Sequence, residues 1–155
     1  MSKIKILNWI LKGVIFLTAL GIAFTLYLYF AIQNSQFVDY SKLIPVYSRY
    51  MVVVKGILFL SSMICLQASV NYFIKYNFFN SKSVKHLKYS GILLLIYSLT
   101  GIVFIIIKSE RSTILEHLNN NIDYITTLII AIGIFVVGDI IKSGVTIKQE
   151  NELTI

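Results

Sequence analysis

Four long apolar segments constrain this chain more than any other feature of its sequence. They cover residues 13–32, 52–74, 89–107 and 124–141, and each is close to the roughly 20 residues that a helix needs to cross a membrane. A segment in lipid must satisfy its own backbone hydrogen bonds, which a helix does and an open strand does not. Many residues are β-branched, but the length of the segments and their lack of alternation argue against strands. The sequence predicts an all-α integral membrane four-helix bundle.

The composition agrees with a membrane protein that has one domain. Hydrophobic residues make up 57% of the chain and charged residues 14%, whereas a soluble domain has about 25% charged residues. The basic and then apolar N-terminus is similar to a signal peptide, but segment 13–32 is longer than the roughly 7–15 residues of a signal core. We expect a retained first span, a membrane domain over 1–147 and a short cytoplasmic tail over 148–155.

Basic residues are distributed unevenly between the two predicted sides of the membrane. The net charge is +7, and basic residues collect in cytoplasmic loops of membrane proteins. One side has nine of them: Lys3, Lys5, Lys12, Lys75, Lys82, Lys85, Lys88, Lys142 and Lys148. The other side has five: Lys42, Arg49, Lys55, Lys108 and Arg111. We therefore expect a multi-pass protein of the inner membrane, in contact with the lipid bilayer, with both termini cytoplasmic and with Lys55 snorkelling from the outer end of its helix.

Three polar side chains within the apolar segments are candidates for a function. Gln67 and Asn71 are four residues apart and share a helix face, where they are expected to bond to a neighbouring helix. Asp139 is expected to form an ion pair with Lys142 or with a lysine of the inner loop. The alternative interpretation is functional: Gln67 and Asn71 line a polar substrate path, and Asp139 relays protons.

Small residues recur at helical spacing in three of the segments. Such positions allow helices to approach closely, and we expect them to serve packing within the bundle, while pairing of two copies stays open. The positions are Ala19 and Ala23, Thr127 and Ala131, and Gly91, Ser98 and Gly101.

The sequence offers no chemistry of its own. It contains no nucleophile elbow, HExxH or phosphate-binding loop, and its single Cys65 lies in an apolar run. His86 and His117 fall on opposite predicted sides of the membrane and cannot share a metal. No run of basic residues with interleaved aromatics suggests direct nucleic-acid binding. We expect no enzyme, no catalytic or metal site and no cofactor.

Two stretches on the predicted cytoplasmic side are candidates for binding a partner. Lys82, Lys85 and Lys88 form a basic stripe after a helix cap at Asn80 or Ser81, and such a stripe attracts anionic lipid. The chain then closes on KQENELTI, in which alternation suits an extended peptide read by a partner, although a frayed terminus is equally compatible. The partner-binding residues predicted here are Glu150, Glu152, Leu153, Thr154 and Ile155.

Both stretches resemble a family of small bacterial four-helix membrane proteins classed as a domain of unknown function, DUF2975. The segment FFNSKSVKHLKYSGILLL is similar to the family's entry into the third helix, with His86 where the family often has arginine. The segment GDIIKSGVTIKQENELTI resembles its closing helix and acidic end, with Asp139 at a position that is often acidic. The matching residues are Phe79, Val84, Lys85, Leu87 and Lys88 in the first segment and Glu150, Glu152, Leu153, Thr154 and Ile155 in the second.

Family members often lie beside genes for small Cro-like helix-turn-helix regulators. The resemblance therefore implies a non-enzymatic membrane protein whose cytoplasmic face docks such a transcription regulator. Two alternatives stay open: a small transporter, and an immunity-type protein that meets a membrane-active peptide through the outer segment Tyr47-Ser48-Arg49-Tyr50.

Overall fold

The chain forms four long α-helices in the computed structural model. The backbone is described for residues 2–34, 46–76, 80–108 and 114–153, and the side chains for residues 3–31, 50–76, 80–106 and 122–151. The helices are α1 (Ser2–Asn34), α2 (Val46–Tyr76), α3 (Ser81–Lys108) and α4 (Ile114–Leu153). Each contains a stretch long and apolar enough to cross a membrane, and no strand occurs in these ranges. The prediction of an all-α fold with four spans is confirmed.

The helices extend well beyond the predicted spans. The stretches that qualify as spans are Lys3–Ala31, Tyr50–Tyr76, Ser81–Ile106 and Ile122–Asn151. Two stretches outside the predicted spans are therefore helical: Val46–Tyr50 forms the start of α2, and ILEHLNNNI begins α4. The apolar pattern in the sequence marks only the part of a helix that crosses the hydrocarbon of the membrane. The helical backbone hydrogen bonds continue beyond that part into the polar interface.

The helices pack mainly as neighbours in sequence: α1 on α2, α2 on α3, and α3 on α4. Helix α3 has the largest buried share of its apolar stretch, 28%, while that of α1 has none. A small core of Val84, Leu87 and Ile141 joins α3 to α4, with Leu66 and Phe73 of α2 packed against it. Helices α2, α3 and α4 thus form one packed unit, and α1 lies at its edge.

Consecutive helices run antiparallel, which gives the molecule two distinct ends. At the hairpin end lie the connection between α2 and α3, the start of α1 and the end of α4. At the opposite end, called here the Lys55 end, lie the connections from α1 to α2 and from α3 to α4.

A seam of buried serines joins α2 to α3. The hydroxyl of Ser62 donates to the Ser90 carbonyl over 3.0 Å, and that of Ser69 donates to the Ser83 carbonyl over 2.9 Å. All four serines have no exposed surface. Each pair on one helix is seven residues apart, the spacing at which a helix seam returns to the same face. Small polar residues at this spacing let the two backbones approach and bond within lipid.

The predicted close-approach positions Gly91 and Gly101 are confirmed on the α3–α4 contact. A Cβ atom at Gly91 would lie 3.1 Å from Phe135, and one at Gly101 would lie 2.7 Å from Cγ of Tyr124 and closer still to two other ring carbons. Ala131 is fully buried. For Ala19 and Ala23 the prediction of packing within the bundle is wrong, because both face outward from α1.

Candidate functional site

The hairpin end begins with a well-defined cap on α3. The backbone N–H of Lys82 donates to Oδ1 of Asn80 over 2.8 Å, and the N–H of Val84 donates to the Asn80 carbonyl over 3.3 Å. A side-chain oxygen that accepts from the second helical N–H is the usual way to satisfy the first turn. Of the two predicted caps, Asn80 is therefore the one the structure uses, and it fixes the direction in which the first lysines project.

The predicted basic stripe divides into two exposed lysines and one paired lysine. Lys82 and Lys85 are exposed, whereas Lys88 donates from Nζ to Oδ1 of Asp139 over 2.5 Å. Each residue turns about 100° around the helix, so six residues carry Lys88 roughly 120° away from Lys82 and onto the face beside α4. The predicted ion pair of Asp139 with a lysine of the inner loop is confirmed. As a free basic surface, however, the stripe consists of Lys82 and Lys85 only.

Aromatic rings from α2 and α3 stack beside these lysines. The ring of His86 lies 5.3 Å from that of Tyr72 with an interplanar angle of 11°, and Tyr72 in turn stacks on Tyr76 at 5.9 Å. His86 is half-buried on α3. The spacing of single residues carries no signal for this stack, because it depends on the register between two helices.

Three exposed lysines at this end each lie over an aromatic ring. The ammonium of Lys12 lies 5.4 Å from the Trp9 ring, Lys75 lies 5.1 Å from Tyr76, and Lys85 lies 5.8 Å from Tyr89. Aromatic rings flanked by lysines are typical of the interface between lipid tails and headgroups. The hairpin end therefore has the chemistry of a membrane edge on three consecutive helices.

Helix α4 extends past the rest of the hairpin end. Ile141 packs against Val84 and Leu87 near the start of α3, so roughly the last nine residues of α4, about 13 Å, lie beyond that start. The prediction of an extended or frayed tail is wrong as far as Leu153, because the helix continues to that residue. Lysine, glutamine, glutamate and leucine all favour helix, which explains the continuation. Lys148 and Glu150 are exposed; the side chains of Glu152 and Leu153, and both Thr154 and Ile155, lie outside the described residues.

The residues of the predicted substrate path form no hydrogen-bonded group within the described part of the chain. Gln67 is half-buried and Asn71 is exposed, and neither makes a hydrogen bond within the described part of the chain, so the predicted interhelical bonds are absent there. The serine seam provides the interhelical bonds instead. The side chain of Asp139 is 65% exposed and forms an ion pair with Lys88. No group of three His, Cys, Asp or Glu that could hold a metal occurs among the described side chains.

The Lys55 end contains a buried lysine among aromatic rings. Lys55 is only 9% exposed, its Nζ donates to the hydroxyl of Tyr124 over 3.2 Å, and it lies 4.8 Å from the ring centroid of Phe104 and 4.7 Å from that of Tyr124. The prediction that Lys55 snorkels is wrong, because the side chain turns into the bundle towards α3 and α4. Gly101 leaves the space that the Tyr124 ring occupies.

Four apolar helices held by a serine seam and glycine contacts define a multi-pass helical membrane protein. Within that class the chain belongs to the family described as "Protein of unknown function (DUF2975)", whose model matches residues 39–155. The match includes α2, α3 and α4, the packed unit, and omits α1 at its edge. No curated protein and no solved structure matches the chain.

Proposed function

We propose that this protein is a non-enzymatic regulatory membrane partner that docks a small cytoplasmic helix-turn-helix regulator at its hairpin end. The supporting observation is the position of two predicted partner elements. Lys82 and Lys85 are exposed on the first turns of α3, and the end of α4 extends past them from the same end of the molecule. The docking surface therefore consists of two exposed lysines on α3 beside the end of α4, which carries both basic and acidic residues.

The nature of the partner comes from the family and from the size of this surface. The resemblance to DUF2975 carries an association with small Cro-like regulators, and the family match supports using it here. A helix that extends about 13 Å from the bundle offers an element that a small helical domain can pack against. The ion pair of Lys88 with Asp139 fixes α4 against α3 just before this extension.

The proposal also includes an orientation. It places the hairpin end in the cytoplasm and the protein in the bacterial inner membrane, because the hairpin end has nine basic residues and the Lys55 end five. Lys55 is counted among those five although its side chain is buried among aromatic rings.

The test is recruitment of a regulator to the membrane. Fluorescently tagged small helix-turn-helix regulators from the same genome are co-expressed with the protein, and the membrane-bound fraction is measured. Removal of residues 148–155, or the double change Lys82→Gln and Lys85→Gln, is expected to release the regulator into the cytoplasm. Lys3→Gln with Lys12→Gln is the matched control, because it removes the same charge from exposed positions of α1. If no regulator is recruited, or if truncation leaves recruitment unchanged, the docking proposal fails.

The two other functions stay predictions without a supporting contact. Transport relies on Gln67, Asn71 and Asp139, of which only Asp139 has a polar partner within the described residues. The immunity role relies on Tyr47, Ser48 and Arg49, whose side chains lie outside the described residues, and on Tyr50, which is 61% exposed beside Tyr29. Loss of resistance on Asp139→Asn would favour transport, and sensitivity of a deletion strain to neighbouring producers would favour immunity.

A further inference from the structure

The Lys55 end holds a buried cation that forms no ion pair within the described part of the chain, although the exposed Asp123 lies next to its hydrogen-bond partner Tyr124. Lys55 is more than nine-tenths buried, and none of the described acidic side chains forms an ion pair with it. A lysine within a membrane span is costly unless something compensates its charge, and such residues are functional candidates. The two nearby rings provide part of that compensation by cation–π attraction, but a ring face carries no net charge.

Hydrogen-bond donors outnumber acceptors around this lysine. An ammonium has three hydrogens, and one of them goes to the hydroxyl oxygen of Tyr124. Because that oxygen accepts, the Tyr124 hydroxyl hydrogen is left to donate elsewhere. The ring of Tyr97 lies 5.7 Å from that of Tyr124, and its hydroxyl has no hydrogen bond within the described residues. Such a cluster of donors with one positive charge is complementary to an oxyanion.

The surroundings of Lys55 indicate how such an anion is presented. Lys55 lies three residues inside the predicted apolar segment 52–74, about 4.5 Å along the helix axis. This depth is close to the boundary between lipid tails and headgroups. Val52, Val54 and Ile57 on the same helix are 57%, 49% and 51% exposed, so apolar surface for an acyl chain lies at the same level of the helix, on its outer face.

We propose that Lys55, with the Tyr124 hydroxyl, forms a binding site for the phosphate of an anionic lipid headgroup at the Lys55 end. The ammonium supplies the charge, the tyrosine supplies a further donor, and the rings of Phe104 and Tyr124 keep water from the contact. Gly101 is part of the site, because it provides the room in which the Tyr124 ring approaches the lysine. This site is independent of the docking surface at the hairpin end, and neither proposal requires the other.

The experiment measures lipid binding by native mass spectrometry. The full-length protein in neutral detergent is titrated with phosphatidylglycerol and, separately, with phosphatidylcholine. The wild type is expected to retain phosphatidylglycerol, and Lys55→Met is expected to bind it about tenfold more weakly, since one charge-assisted contact is lost. Lys75→Met is the matched control and is expected to bind as the wild type does, because Lys75 is an exposed lysine on the same helix at the other end.

Two further arms keep the result interpretable. Tyr124→Phe keeps the ring and removes only the hydroxyl, and is expected to weaken phosphatidylglycerol binding by about threefold even if Lys55→Met folds poorly. In the second arm, inorganic phosphate is added to the wild type with bound phosphatidylglycerol. Lipid that stays bound supports the headgroup as the source of the phosphate, whereas displacement shows that a free phosphate anion is the ligand. Equal retention of phosphatidylglycerol by wild type, Lys55→Met and Tyr124→Phe, or equal binding of phosphatidylcholine, overturns the proposal.

Discussion

Among the glycines for which the surroundings of an added Cβ are described, Gly101 is the one at which a methyl group should disturb the protein most. A Cβ atom there would overlap three carbons of the Tyr124 ring, of which Cγ would be 2.7 Å away. Ordinary van der Waals contact begins at 3.4 Å, so the ring has to retreat by about 0.7 Å at Cγ and by more at its edge. Helix α4 has to move with the ring, because the overlap includes Cγ and not only its far edge. We therefore predict that Gly101→Ala loosens the α3–α4 contact.

The magnitude follows from two opposing effects. Overfilling a packed contact typically costs about 1–3 kcal/mol, while replacing glycine by alanine within a helix gains about 1 kcal/mol. The net expectation for Gly101→Ala is a loss of about 1 kcal/mol. Gly133→Ala is the matched control, since Gly133 lies in α4 with nothing within 4 Å of an added Cβ. Gly133→Ala therefore gains helix propensity without overfilling a contact. The free energies of unfolding of the two variants should differ by about 2 kcal/mol.

Thermal unfolding in detergent measures this difference. For a chain of this size, about 2 kcal/mol corresponds to roughly 4–8 °C between the melting temperatures of the two variants. A double-mutant cycle localises the effect: in a Tyr124→Ala background the ring is gone, and Gly101→Ala should no longer be destabilising. Equal melting temperatures for Gly101→Ala and Gly133→Ala would refute the argument from ring overlap.

Three further predictions concern the other contacts. Ser62→Ala removes an interhelical hydrogen bond and should cost about 0.6 kcal/mol in detergent unfolding, more than Ser98→Ala, whose hydroxyl bonds within its own helix; equal costs would contradict the serine seam. Asn80→Ala removes the cap of α3 and should cost about 1 kcal/mol, with faster amide exchange in the first turn of that helix only; unchanged exchange there would refute the cap. Lys88→Gln and Asp139→Asn should be non-additive in a double-mutant cycle at low salt, and the coupling should disappear in high salt because the pair is exposed to solvent; a coupling that survives high salt would contradict this.

The hairpin end shows where sequence reasoning reached a residue-level result. The cap at Asn80 was predictable because a cap is a local event, decided by one side chain and the backbone two residues later. That Asp139 forms an ion pair was predictable, because several lysines lie near this carboxylate at the membrane edge, but its partner was not. Its partner was decided by packing: Lys88 faces α4 only because α3 and α4 are antiparallel in a particular register.

Lys55 shows where such reasoning failed. A lysine near the end of a span is expected to extend towards water, since the sequence contains only its distance from the end. In the structure its surroundings come from α3 and α4, through Phe104 and Tyr124, and Gly101 makes the space. These residues are 46 to 69 positions away in the chain, and no periodicity within one helix relates them to Lys55.

By itself the sequence determined that the chain is a four-span all-α membrane protein, because span length and backbone satisfaction in lipid depend only on local hydrophobicity. The extent of α4 to Leu153 was open, since alternation over three residues is too short to distinguish a strand from the continuation of a helix. Only the tertiary structure decided which polar residues bond between helices: Ser62 and Ser69 and not Gln67 and Asn71. The physical reason is that a side chain finds a partner across a helix contact according to the rotation and register of both helices, and lipid, which is apolar on every side, leaves that choice to packing.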